Sequence, residues 1–255
     1  MKKLDRKDFP LFQKMPITVD LDRLKKELAV LENRNNWLDI NPETKYYESL
    51  LKNREHLLAK FADNDKAEQM TFHNYNQIVL TEFDKESYIG ISEQTVDEIA
   101  DKSYNHKYSR YKRDVLEIVA EQNEKNYSKF RPIIQDLSYI QTVLTSFKNK
   151  ATRARFARLK PGGDIKPHID NNVGYGVRYH LALETNDQCF VAIRKNPKQE
   201  FQYFHIPADG HLYFINVGFE HFVVNNGTTD RVHLVIGVNG LDDLLPFKKP
   251  DRFSS

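Results

Sequence analysis

The chain has 255 residues, 40% of them hydrophobic and 29% charged, with a formal net charge of +2. That balance suits one large domain, or one domain with an extension. It excludes a disordered chain, and bulk charge does not announce a nucleic-acid binder. A single cysteine, Cys189, excludes an internal disulfide and a cysteine-rich zinc site, and no stretch approaches the ~18 apolar residues of a membrane span.

Residues 1–16 read as an irregular lead-in without the apolar run of a signal peptide, so a soluble, cytoplasmic protein is expected. From Asp20, which fits a helix N-cap, Leu21, Leu24, Leu28 and Leu31 recur at helical spacing through about Glu32. An Asn-rich loop over 33–42 breaks the pattern. Residues 43–62 predict a second helix, buried through Leu50, Leu51, Leu57 and Leu58. The stretch 70–91, rich in Phe, Tyr, Ile and Val, predicts one or two strands. Helices are predicted again over 92–102, 107–125 and 130–147, the last carrying Ile133, Ile134, Leu137, Ile140, Val143, Leu144 and Phe147.

After Lys150 the texture changes to short β-rich runs: 153–159, 165–169, 177–184, 188–195, 201–206, 211–216, 219–224 and 231–238. Turn residues such as Pro161-Gly162-Gly163, Asp209-Gly210 and Asn225-Asn226-Gly227 separate them. About eight strands at this spacing predict a mostly β core of the jelly-roll, cupin-like kind. The expected division is a mainly helical region, 1–150, packed on a β core, 151–245, with a tail over 246–255.

The stretch 153–170 reads as a strand, a Pro-Gly-Gly turn and a second strand that ends in His168 and Asp170. Side chains two apart on a strand share a face, so this imidazole and carboxylate can reach one ion. A distant second His would complete the two-His-one-carboxylate triad of non-haem iron(II) oxygenases. An isolated His-x-Asp is weak evidence; this one follows a Gly-Gly turn and opens a small-residue loop, as a site at a barrel mouth requires. Among His205, His211, His221 and His233, the choice falls on His221, which starts a strand leading into an Asn-Gly turn. His233 is held in reserve as a ligand. Arg231 opens the returning strand in an otherwise apolar run, where an unpaired cation wants an anionic partner. Arg178 and His180 share one face of the run 177–183.

Taken together these residues resemble the aspartyl/asparaginyl β-hydroxylase family of 2-oxoglutarate- and iron(II)-dependent oxygenases, with its proline-hydroxylase relatives. The matching pieces are Leu159-Lys-Pro-Gly-Gly163, Pro167-His-Ile-Asp170, Arg178-Tyr-His-Leu-Ala-Leu183 and Gly210-His-Leu-Tyr-Phe-Ile-Asn216. They continue in Glu220-His221, Asn225 and Arg231-Val-His-Leu-Val235, in family order across 153–240. The resemblance implies a double-stranded β-helix, with His168, Asp170 and His221 on iron(II). It implies Arg231 on the distal carboxylate of 2-oxoglutarate, and Arg178 and His180 near its other end. It also implies O₂ as co-substrate, release of succinate and CO₂, and ascorbate for reactivation. Asp170 departs from the members that carry Gly at that position, which places the chain nearer the proline-hydroxylase and bacterial or phage-type branch and argues against a halogenase. Ala157 stands where some relatives have a Ser that touches the co-substrate.

The implied substrate is an amino-acid side chain, free or in a peptide or protein, with Asn171, Asn172, Tyr175 and Tyr179 as candidate walls. An alternative is an oxygenase acting on nucleic acid, drawn from the basic run Lys148, Lys150, Arg153, Arg155, Arg158 and Lys160. A third reading, from a different class, is a non-catalytic cupin-like binding protein. The intact set of His168, Asp170, His221 and Arg231 counts against it. The sequence does not give the oligomeric state.

Overall fold

The computed structural model describes residues 4–35, 37–39, 72–84, 124–170, 172–174 and 176–249. The helices expected over 43–62 and 92–102, and all but the end of that over 107–125, lie outside these residues, as do Asn171 and Tyr175.

The strands in chain order are β1 (Phe12–Thr18), β2 (Leu38–Asp39), β3 (Phe72–Val79), β4 (Thr81–Glu82), β5 (Lys129–Phe130) and β6 (Ala151–His168). They continue as β7 (Val177–Glu184), β8 (Cys189–Arg194), β9 (Gln202–Phe204), β10 (His211–Ile215), β11 (Glu220–Asn225) and β12 (Arg231–Val238). Ten of them form one antiparallel sheet ordered β1-β10-β7-β12-β6-β11-β8-β9, with β3 on β6 and β2 beyond it. β4 and β5 make a separate pair.

β6 bends this sheet back on itself. Its first half pairs with β12 from Ala151 to Leu159, and its end pairs with β11 from Asp164 to His168. β3 meanwhile follows it from Arg155 to Ile165. The Pro161-Gly162-Gly163 segment expected as a reversing turn is therefore a bend inside one 18-residue strand. Gly162 takes φ +71°, a left-handed conformation that glycine adopts without a Cβ penalty. A Cβ on Gly163 would stand 2.8 Å from Lys160 O and 2.9 Å from His73 O.

One layer thus holds β1, β10, β7, β12 and the first half of β6; the other holds the second half of β6, β11, β8 and β9. Between them pack Leu159, Ala182, Val191, Ile193, Tyr213, Ile215, Val223 and Val235. The outer face of the first layer carries Tyr179, Leu181, Phe214, Leu234 and Ile236 against Leu24, Leu28 and Leu31 of α1 (Leu21–Arg34) and Ile140, Val143 and Leu144 of α2 (Ser138–Thr145). The nearly closed antiparallel arrangement is consistent with a jelly roll.

α1 begins as its sequence predicts, the Asp20 carboxylate accepting from Arg23 N–H at 3.1 Å. The helix expected over 130–147 is shorter. Arg131 precedes a proline and stays extended at ψ 149°, so a 3-10 turn, Pro132–Ile134, comes first and α2 starts only at Ser138. Glu27 of α1 accepts the free amides of Tyr139 and Ile140 at 2.9 and 2.7 Å and so caps α2 from outside. The lead-in is also more ordered than its polar sequence predicts. β1 docks on β10 as an edge strand, burying Met15 while Lys14 and Pro16 stay on the accessible side.

Candidate metal centre

His168 ends β6 directly across from His221 on β11, so their rings are brought together by strand register alone. The ring centroids lie 4.2 Å apart. Asp170 follows the strand end, anchored by its backbone N–H on Val217 O at 2.9 Å. One ligand atom from each of His168, Asp170 and His221 falls within 4.8 Å of the others. The Nδ1 of His168 lies 2.7 Å from Lys166 O and that of His221 lies 3.0 Å from Phe219 O. A carbonyl only accepts, so each Nδ1 carries the proton and each Nε2 keeps its lone pair for a metal.

Electrostatics holds the cluster in the matching protonation state. Burial alone would raise the Asp170 pKa, but the Arg178 guanidinium on its Oδ2, with His221, His168 and Arg155 nearby, outweighs it and holds the carboxyl at about 2. Burial, reinforced by the neighbouring His168, lowers His221 to about 4. Near neutral pH this gives an ionised carboxylate and a neutral His221, as metal binding requires. Two imidazoles and one carboxylate are the donor set of a non-haem iron(II) site, and the one thiol, Cys189, is engaged elsewhere with Asn225 Oδ1 at 3.2 Å.

Arg231, at the start of β12, is 4% exposed and its guanidinium makes no hydrogen bond or ion pair among the described residues. Burial lowers its pKa only to about 10, so it stays charged. His233 shares its strand face, and neither ring nitrogen has a partner among the described residues. Its register neighbours on the flanking strands are Ala157 and Ala182, the smallest side chains on the inner face. His180 lies across from Val235, its ring 5.9 Å from that of His233. Burial, with Arg231 close by, pushes both of these imidazoles well below their ordinary pKa.

The remaining expected residues fall out as follows. Arg178 is paired with Asp170. His233, the reserve ligand, lies outside the metal cluster. Tyr179, expected as a substrate wall, belongs to the opposite face of β7. It is fully buried and stacked on Phe147 at 5.3 Å, because Arg178 and His180 take the inner face and strand side chains alternate. Asn172 donates from Nδ2 to Asp5 at 3.1 Å. His205 bonds Cys189 O at 3.0 Å, and His211 lies against Asp209 in the turn before β10. The basic run is divided. Lys150 pairs with Asp84 at 3.1 Å, and Arg158 reaches Asp230 at 3.8 Å and stacks on Trp37. Arg155 points inward, its Nε 3.5 Å from the hydroxyl of Tyr75.

Sequence reasoning missed Arg155 as an inner residue, although its parity with Ala157 and Leu159 marks it. It also missed the carbonyls of Lys166 and Phe219, for which no side-chain signal exists.

The sequence profile of the Aspartyl/Asparaginyl beta-hydroxylase family matches residues 34–239. Among solved structures the chain is similar to a prolyl-4-hydroxylase from Pseudomonas putida, with 10% identity over 90% of this chain and 93% of that one and a TM-score of 0.43. It is similar to an oxidoreductase of the 2OG-Fe(II) oxygenase family from Burkholderia pseudomallei, with 13% identity over 77% and 83% and a TM-score of 0.34. It is also similar to TT1209 from Thermus thermophilus, with 20% identity over 36% and 76% and a TM-score of 0.25. The match over 34–239, on a chain that brings His168, Asp170 and His221 into one cluster able to hold a metal ion, identifies a member of the aspartyl/asparaginyl β-hydroxylase family, a dioxygenase that uses iron(II), 2-oxoglutarate and O₂.

Proposed function

We propose that this chain hydroxylates an unactivated C–H bond of an amino-acid side chain, free or within a peptide or protein, in a double-stranded β-helix whose iron ligands are His168, Asp170 and His221. The amino-acid part is supported by the family description, which names aspartyl and asparaginyl side chains. The observation that carries the site reading is Arg231: a buried guanidinium with no counter-charge among the described residues, on the inner face of the barrel that holds the metal cluster.

Iron(II), 2-oxoglutarate and O₂ together supply the oxidising power for C–H hydroxylation, and 2-oxoglutarate leaves as succinate and CO₂. The chain's own residues do the rest. His168 and His221 present Nε2, their rings fixed by the Lys166 and Phe219 carbonyls. Arg178 keeps Asp170 ionised and oriented. Arg231 offers a planar fork that suits the distal carboxylate of 2-oxoglutarate and offsets the cost of burying that cation. Ala157 and Ala182, the small register neighbours of His233, would let the co-substrate's methylene chain lie beside that ring. His180, kept neutral, is available to hydrogen-bond the end nearer the metal.

Anaerobic addition of iron(II) and 2-oxoglutarate should produce a weak visible charge-transfer band, and a succinate-release screen over free amino acids and peptides should then identify the substrate. Absence of the band in the wild-type protein would overturn the reading of the site. Succinate release driven by oligonucleotides and by no amino acid or peptide would overturn the substrate class.

A further inference from the structure

Residues 4–18 precede the stretch that matches the family, yet they reach the metal centre from behind. Asp5 caps a 3-10 turn, Arg6–Asp8, its carboxylate accepting from Lys7 N–H while the Asp8 carboxylate accepts from Asp5 N–H. From this turn Arg6 donates through Nη1 to Gly218 O, and its guanidinium lies 4.8 Å from the centroid of the Phe219 ring. Its stem crosses Gly218 so closely that a Cβ there would stand 3.4 Å from it. Asn216, fully buried, donates from Nδ2 to Arg6 O at 2.9 Å and Pro10 O at 3.1 Å, and from its backbone to Leu11 O at 2.9 Å. Asp5 holds Asn172 in the loop that follows Asp170.

The turn 216–219 that this segment grips carries two carbonyls that orient ligands. Val217 O receives the N–H of Asp170 and Phe219 O receives Nδ1 of His221. Any play in the turn passes directly to two of the three donors. We infer that Arg6 is a positioning residue of the metal centre, holding the turn 216–219 so that Asp170 and His221 converge with His168. The inference rests on the metal-site reading above and adds to it a residue 212 positions away in sequence from the carbonyl it holds.

The test is Co(II) titration of the metal-free, full-length chain, with thermal unfolding followed in parallel. Arg6→Met keeps the stem and removes the donor and charge. It should weaken Co(II) binding roughly 10- to 100-fold, the range for groups standing behind metal ligands, and shift the visible Co(II) bands. Arg6→Lys, which restores a donor, should recover part of the loss, and Lys7→Ala, on the exposed side of the same turn, should change nothing. A folded Arg6→Met protein with the wild-type Kd and bands, lowered only in its unfolding midpoint, overturns the inference. Should Arg6→Met not fold, Arg6→Gln is the milder replacement, and an unchanged Kd there has the same force. His168→Ala is run alongside. If it binds Co(II) as the wild type does, the metal-centre reading itself has failed; if it does not, a null result for Arg6 sinks only the role of Arg6.

Discussion

Among the described residues Arg231 is a charge without a counter-charge, and that condition has two opposite consequences. An uncompensated buried cation is costly in the empty protein and valuable once a carboxylate arrives. Arg231→Met should therefore raise the urea midpoint of the co-substrate-free protein while weakening 2-oxoglutarate binding by ~100-fold or more, since each charge-assisted hydrogen bond contributes about 1.5–3 kcal/mol. Equilibrium unfolding and calorimetric titration check the two halves separately. Asp170 presents the reverse case, an anion already matched by Arg178. Asp170→Asn keeps the shape and removes the charge, so metal affinity should fall by more than the ~10- to 100-fold typical of supporting residues, whereas His233→Leu should leave it unchanged. Arg231 and His233 were legible as ionisable groups in an apolar run, and Asp170 by its spacing of two from His168 at the end of a strand. Arg178 was only half legible: its inward direction followed from parity with His180, but its choice of Asp170 depends on where the strand end turns.

At the scale of elements, two features hold the middle of β6 in place, on either side of its bend. Asn225 closes the β11–β12 hairpin, donating to Leu159 O and Thr229 O at 2.8 Å each while Gly227 N–H donates to its Oδ1 at 3.1 Å. Asn225→Ala strands these buried groups and should cost about 2–4 kcal/mol in urea unfolding, at ~1–3 kcal/mol per unsatisfied group with partial relaxation. Gly163→Ala drives a methyl into two backbone carbonyls and should cost ~1–3 kcal/mol by the same measurement. The strands from 177 onward were legible to within a residue or two, because alternation and turn residues are local signals. The bend in β6 was not. Pro161-Gly162-Gly163 announces a departure from regular backbone, but whether the chain reverses or continues is decided by its change of partner from β12 to β11. β1 escaped notice for a related reason: Pro16 interrupts its run, and its pairing is an edge contact with β10 far along the chain.

For the whole molecule, the inner histidines set the response to acid. His180, His221 and His233 are neutral when folded, whereas an unfolded chain would protonate them below the ordinary value of 6.5. Below that pH the unfolded state binds more protons, so stability falls with acidification. The share due to His221 is fully lost once pH drops through about 4, where this imidazole is half protonated in the folded state too. Asp170 acts lower: its stabilisation is complete above the ordinary 3.8 and is lost as pH falls toward about 2. Urea midpoints of the metal-free protein should therefore drop between pH 6.5 and 4.5, and less steeply in His233→Leu.

The continuity of β6 has one more consequence. Leu159 is in register with Arg231 and His168 with His221, so the two ends of the site are tied to points nine residues apart on one covalent strand. Bond lengths and angles scarcely yield, and the dihedrals of the bend are held by β3, which pairs with β6 on both sides of it. The strand therefore serves as a ruler between cation and metal cluster, graduated in peptide units. A site gauged in this way should discriminate by chain length, admitting the five-carbon 2-oxo diacid and rejecting its four- and six-carbon homologues.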